Sequence, residues 1–135
     1  MNRVQYEEAR KRWRHRGGSM REIKFRGKLK TTGEWVYGDL VRLQDGENTI
    51  TAIYYKGEVE PKSVGQYTGF TDKNGKEIYE GDILENYDQA LVTFRDGTWK
   101  LEWLTGYTAS DLNEGFDETM EVVGNAVDWG IDYDK

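Results

Sequence analysis

The chain has 135 residues, a length suited to one domain or to one domain with an appendage. It carries 19 Lys and Arg against 25 Asp and Glu, a formal net charge of -6, with a single His and no Cys. Disulfide frameworks, zinc-thiolate sites, iron–sulfur clusters and Cys nucleophiles are thereby excluded, and any His general base would have to be His15.

Residues 3–16 (RVQYEEARKRWRHR) read as a helix, with Tyr6, Ala9 and Trp13 on one face. Residues 1–19 hold six basic and two acidic side chains, and the remaining 116 residues hold 13 basic and 23 acidic ones. The -6 therefore divides into a +4 arm and a -10 body. Such a body repels phosphate backbones, so Arg10, Lys11, Arg12, Trp13, Arg14 and Arg16 are the residues placed to touch nucleic acid. Gly17-Gly18-Ser19 closes the arm as a linker before Met20. Arg16-Gly17-Gly18 ahead of Met20 can also be encoded by a purine-rich run of the ribosome-binding type. Residues 1–19 are thus read as a basic helical arm or as a translated leader. The main β domain is expected over residues 20–127.

From Met20 onward the patterns are those of strands. Glu22 to Gly27 alternates polar and apolar, Thr31-Thr32-Gly33 turns, and Glu34 to Tyr37 resumes, which predicts a hairpin. Leu40 to Leu43 and Thr49 to Tyr55 flank Asp45-Gly46 in the same way. Pro61, the only proline, opens the segment Val64 to Phe70. Asp72-Lys73-Asn74-Gly75 is a strong turn signal, and Glu80-Gly81-Asp82 is a second turn. Asp96-Gly97 joins Leu91–Phe94 to Thr98–Trp103, with Trp99, Leu101 and Trp103 on one face. Residues 109–116 are expected to form a short helix capped by Ser110 or Asp111. Glu121 to Ala126 is a last strand, and the acidic tail, residues 128–135, is expected to fray. Turn signals every 8–12 residues with scarce helical periodicity predict a mainly β fold with minor α, as a small barrel or coiled sheet. Val36-Tyr37-Gly38-Asp39-Leu40-Val41 is echoed in Tyr79-Glu80-Gly81-Asp82-Ile83-Leu84, which reads as repeated turn chemistry.

Few residues suggest catalysis. In Asp72 to Glu77 the Gly comes at position 4 rather than position 6 of a calcium loop, so a hairpin turn accounts for it. Glu60-Pro61-Lys62, with Asp45 upstream, has the Glu-x-Lys form of magnesium nucleases, but its proline would weaken the central strand such a site needs. No Gly-rich phosphate loop occurs. With 23 acidic residues in the body, close carboxylate pairs are expected without function. The aromatics remain. Trp99 and Trp103 read as core, while Tyr54, Tyr55, Tyr67, Tyr79 and Tyr107 are expected to line a binding or subunit surface. No segment approaches the ~20 apolar residues of a membrane span, and no apolar signal-peptide core is present.

The stretch Val64-Gly65-Gln66-Tyr67-Thr68-Gly69-Phe70-Thr71-Asp72-Lys73-Asn74-Gly75-Lys76-Glu77-Ile78-Tyr79-Glu80-Gly81-Asp82-Ile83 resembles the YopX family of phage and prophage proteins. Met20 to Arg26 is similar to the family's start, and Val122-Val123-Gly124-Asn125 to its final strand. The chain departs from the pattern after Arg26, where Gly27-Lys28 stands in place of the usual aromatic Trp-Asp pair. The resemblance implies coiled sheets including an SH3-like barrel, in a phage or prophage protein of the bacterial cytoplasm. It brings no catalytic residue, cofactor or substrate. The expectation is a non-enzymatic module, without cofactor or metal, that binds a protein partner or assembles into a homo-oligomer. The alternative is a nucleic-acid-binding accessory protein using the basic arm or a small-barrel face.

Overall fold

The computed structural model describes residues 2–5, 7–8, 22–106, 108–113 and 119–133. Residues 3–5 and 7–8 are helical, as the arm's periodicity predicts. The rest of the arm lies outside the described residues. The first strands are β1 (Phe25–Lys28), β2 (Trp35–Gly38), β3 (Leu40–Asp45), β4 (Asn48–Ile53) and β5 (Gly57–Glu58). A 3-10 turn (Pro61–Ser63) leads to β6 (Gly65–Thr71), β7 (Glu77–Tyr79), β8 (Asp82–Glu85), β9 (Gln89–Arg95) and β10 (Thr98–Trp103). β11 (Ala109–Asp111), β12 (Glu121–Asn125) and a helical turn (Ala126–Trp129) complete the described chain.

The strands form three antiparallel sheets, ordered β2-β1-β6-β7, β3-β4-β5 and β11-β10-β9-β8-β12. The mainly β expectation holds, and each predicted hairpin turn joins paired strands. The first two sheets coil into one surface. β2 runs into β3 through Asp39, whose carbonyl accepts from the Tyr54 N–H at 2.9 Å. On the far side Leu29 bridges Val59, while the Lys30 N–H donates to Glu58 O and the Glu60 N–H to Lys28 O. The expected barrel is not closed. β1 forms no continuous ladder with β5, and the two meet through the Leu29–Val59 bridge and its flanking hydrogen bonds, while β6 occupies the edge beside Phe25 and Arg26.

The two Tyr/Gly-Asp segments occupy equivalent corners. Gly38 (φ 152) ends β2 one residue before β3, and Gly81 (φ 91) lies between β7 and β8. Their flanking tyrosines, Tyr37 and Tyr79, meet edge to face at 5.4 Å.

The main core lies on the five-stranded sheet, where Ile78, Leu84, Ala90, Val92, Trp99, Leu101, Leu112 and Met120 pack together. Trp99 and Leu101 are core as their alternation predicts, and Trp103 packs half-buried against them. Two expectations are corrected here. Ala109–Asp111 is strand, not helix, because the free edge of β10 offers backbone partners at Lys100, Leu101 and Glu102, and residues 114–116 of the expected helix lie outside the described residues. Leu112 then drops into the core and fixes the segment. The acidic tail does not fray up to Tyr133. Asn125 caps the helical turn by accepting from the Asp128 N–H, and Ile131 and Tyr133 pack against Ile83, Leu91 and Ala126. Asp128 also accepts from Lys28 Nζ (2.8 Å) and Trp35 Nε1 (3.1 Å), tying the tail to the first sheet.

Asp72 is the clasp between the two sheets. Its Oδ1 accepts from the N–H groups of Asn74 (2.8 Å) and Lys76 (2.9 Å), which builds the turn. Its Oδ2 accepts from the Val122 N–H at 2.9 Å, which attaches β12. Burial pushes the Asp72 carboxyl up, but the N–H groups of Val122, Lys76 and Asn74 together hold it below its ordinary value. Its ionised form therefore stabilises the fold fully above the unfolded pKa, about 3.9, and this contribution is lost as pH falls through the lower native pKa. Asp72→Asn is expected to cost about 1–2 kcal/mol near neutral pH and to flatten the acid limb of the stability curve. Urea unfolding at pH 7 and in steps below about pH 4 checks it. An acid limb as steep as the parent's would remove Asp72 as its source.

Candidate functional site

Two places gather the side chains that chemistry or recognition could use. The first is the β3–β4 hairpin. Val41, Leu43, Ile50 and Ala52 share one face by register and alternation. Leu40, Thr51 and Ile53 share the other, and Thr51 and Ile53 are buried. That second face also carries Arg42, Gln44 and Thr49, whereas the apolar outer face is open: Leu43 is exposed, and Val41, Ile50 and Ala52 are half-buried.

Tyr54 and Tyr55 follow at the end of β4. They are 55% and 91% exposed, and their rings lie 4.4 Å apart. With Val41, Ile50 and Ala52 they line one groove. Tyr55 has φ 63, a left-handed conformation unusual for an aromatic residue. A backbone of this kind costs about 1–2 kcal/mol for an L side chain. Tyr54 and Tyr55 are therefore where the sequence places them, on a surface.

Tyr67 and Tyr79 are not. They are 9% and 2% exposed, so their assignment to a surface is corrected. The β6–β7 register sets Tyr67 opposite Tyr79, with rings 5.5 Å apart, and the pair packs inward. Burial raises the Tyr79 hydroxyl above its ordinary pKa, with Glu77 adding to the effect. Tyr107 and the arm residues Arg10, Lys11, Arg12, Trp13, Arg14 and Arg16 lie outside the described residues.

The second place is centred on Arg26, which the sequence reading did not single out. Arg26 and Asp82 are 7% and 1% exposed and form an ion pair at 2.8 Å between Nη1 and Oδ1. The guanidinium lies between two rings, 4.7 Å from the centre of Trp35 and 5.1 Å from that of Tyr79. Asp82 Oδ2 accepts from the Tyr79 N–H at 2.8 Å, which closes the turn at Gly81. Burial holds the Asp82 carboxyl above its ordinary value, against the opposing pull of Arg26 and the Tyr79 N–H. Tyr133, from the docked tail, reaches the same corner, and burial pushes its hydroxyl up to about 12.

Alternation over residues 22–27 puts Arg26 with Glu22 and Lys24 on a polar face. The one available signal was the echo of Gly38-Asp39 in Gly81-Asp82. It does not discriminate, since Asp39 is exposed and Asp82 is buried. Glu60, of the Glu-x-Lys motif, instead caps the 3-10 turn, where its carbonyl accepts from the Ser63 hydroxyl at 2.6 Å. Among the described residues no helix is long and apolar enough to cross a membrane.

The family model described as YopX protein matches residues 24–128. Among solved structures, the crystal structure of protein EF1440 from Enterococcus faecalis is similar over 78% of this chain and 93% of that one. The sequence identity is 26% and the TM-score 0.48. No curated protein matches the chain.

Proposed function

The chain belongs to the YopX family, and from that premise we propose that it is a non-enzymatic phage or prophage protein of the bacterial cytoplasm that works by binding protein. Its contact surface is the outer face of the β3–β4 hairpin with Tyr54 and Tyr55, and a second copy of the chain is the first partner to test. The observation that carries this reading is Tyr55. An aromatic residue held at φ 63 and 91% exposed does nothing for the core, yet its backbone carries strain. Such strain persists where a site uses the side chain it presents. Tyr is also enriched at protein interfaces, because it brings a large rigid apolar ring and a hydroxyl. The neighbouring Val41, Leu43, Ile50 and Ala52 supply the apolar centre such an interface needs.

Tyr55→Gly separates the two roles. Gly accepts the same backbone freely, so the melting temperature should stay level or rise, by no more than about 1 kcal/mol of stability. Association should weaken. Light scattering on size-separated protein reads self-association, and pull-down with purified candidate proteins reads the rest. A parent chain that is strictly monomeric and captures nothing, or a variant that associates as well as the parent, would defeat the reading.

A further inference from the structure

β3 is an edge strand: its sheet runs β3-β4-β5, and no strand among the described residues pairs its outer side. The phase of the β3–β4 ladder decides which backbone groups are left free. The Tyr54 N–H donates to Asp39 O, and the Val59 N–H donates to Thr51 O from the β5 side. Asp39, Val41, Leu43 and Asp45 therefore turn their backbone groups toward β4, and Leu40, Arg42 and Gln44 turn theirs outward. We propose that a second copy of the chain pairs there, β3 against β3 and antiparallel, about a two-fold axis at Leu43. The proposal rests on the protein-binding reading above and gives that surface its occupant and its register.

Three observations lead there. The first is that β3 lacks the protection of the other sheet edges. β2 has four residues, β7 and β11 three each and β5 two, while β12 is bulged between Val122 and Gly124. β3 runs for six residues in unbroken register, with no Pro or Lys and with its last four residues exposed. An edge of that kind is a template for another strand. Register is the second. Outward backbone must meet outward backbone, so only Leu40, Arg42 and Gln44 can exchange hydrogen bonds with the second copy. Centring on Leu43 sets Leu43 against its own copy and Arg42 against Gln44, with no like charges opposed within β3. Centring on Arg42 also pairs five residues (40–44 rather than 41–45), but it sets Arg42 against Arg42. The open face is the third. Leu43 is 56% exposed, and pairing there joins the apolar outer faces of two hairpins into one surface. The second copy's Gly46 turn then falls beside Leu40, at the Tyr54–Tyr55 end of the hairpin.

The chain has no Cys, so single-Cys variants of the full chain map the contact. Across the axis the two Cβ atoms at position 43 lie about 4.5–5.5 Å apart, close to disulfide reach. Those at position 50 are about 14 Å apart, three strand spacings, and those at position 47 more than about 20 Å. On mild oxidation Leu43→Cys should give a disulfide-linked dimer about tenfold faster than Ile50→Cys or the exposed Glu47→Cys, which reads chance collision. In light scattering, Arg42→Pro should weaken dimerisation about thirtyfold, because each copy loses one outward donor while the β4 ladder stays intact. Arg42→Thr keeps the N–H and should dimerise as the parent does. Thermal unfolding verifies that both variants fold, and the disulfide series decides the matter if Arg42→Pro does not. Crosslinking at Ile50 or Glu47 as fast as at Leu43, a folded Arg42→Pro chain that dimerises like the parent, or equal weakening by Arg42→Thr would overturn the edge pairing and leave the protein-binding reading in place. A monomeric parent that captures another protein would do the same, and one that captures nothing would defeat both.

Discussion

Arg26→Met is expected to destabilise the fold by about 3–5 kcal/mol, because it leaves the Asp82 carboxylate buried without its counter-charge. The pair is 2.8 Å apart and almost wholly removed from solvent, so little of the loss can be recovered by hydration. The guanidinium also stacks between Trp35 and Tyr79, and the flexible Met side chain replaces only the apolar part of that contact. The informative comparison is with Arg26→Met combined with Asp82→Asn. Asn keeps an oxygen for the Tyr79 N–H, so the turn at Gly81 survives while both charges are gone. The double variant should recover most of the loss and end within about 1–2 kcal/mol of the parent. Urea unfolding of the parent, the two single variants and the double variant measures the coupling. Losses that simply add would mean that the pair does not act as a unit.

The second large effect concerns Gly65. A Cβ there would lie 2.5 Å from the Glu80 carbonyl oxygen, a backbone atom that cannot swing away. Gly65→Ala must push β6 from the β7–β8 corner, the same corner that holds Asp82. A loss near 3 kcal/mol is expected, at the upper end of overpacking costs because the obstacle is main chain. Gly75→Ala is the control. Gly75 sits in the Asp72 turn at φ 79 with nothing within 4 Å of a built Cβ, so only the local backbone penalty of about 1 kcal/mol applies. Thermal unfolding of both variants tests the contrast. Equal melting temperatures would contradict the close approach of Gly65 to Glu80.

Gly65 and Asp82 fall in the segment Val64 to Ile83 that carries the family resemblance, and Arg26 ends the stretch Met20 to Arg26 that shares it. The resemblance therefore marks a structural joint: Gly65 lets two strands touch, Gly81 turns the chain, and Asp82 anchors Arg26. The β3–β4 hairpin proposed for partner binding lies outside that segment.

The sequence alone determined the local structure. The turn pairs Asp45-Gly46, Asn74-Gly75 and Asp96-Gly97, set between β-branched and aromatic runs, specify where the chain reverses. That information is local, because a turn depends on the dihedral tolerance of two residues. Composition likewise determined that Cys chemistry is absent. Only the tertiary structure decided which face of each strand is inside. Period-two alternation separates two faces without saying which one another sheet will cover. On β1 Arg26 went inward, since β8 supplied Asp82 and β2 and β7 supplied the rings of Trp35 and Tyr79 that let a guanidinium be buried, while Ile23 stayed exposed. The same long-range pairing made residues 109–111 a strand and docked the acidic tail, because the free edge of β10 and the Lys28–Trp35 corner lie close to them only once the sheets are assembled.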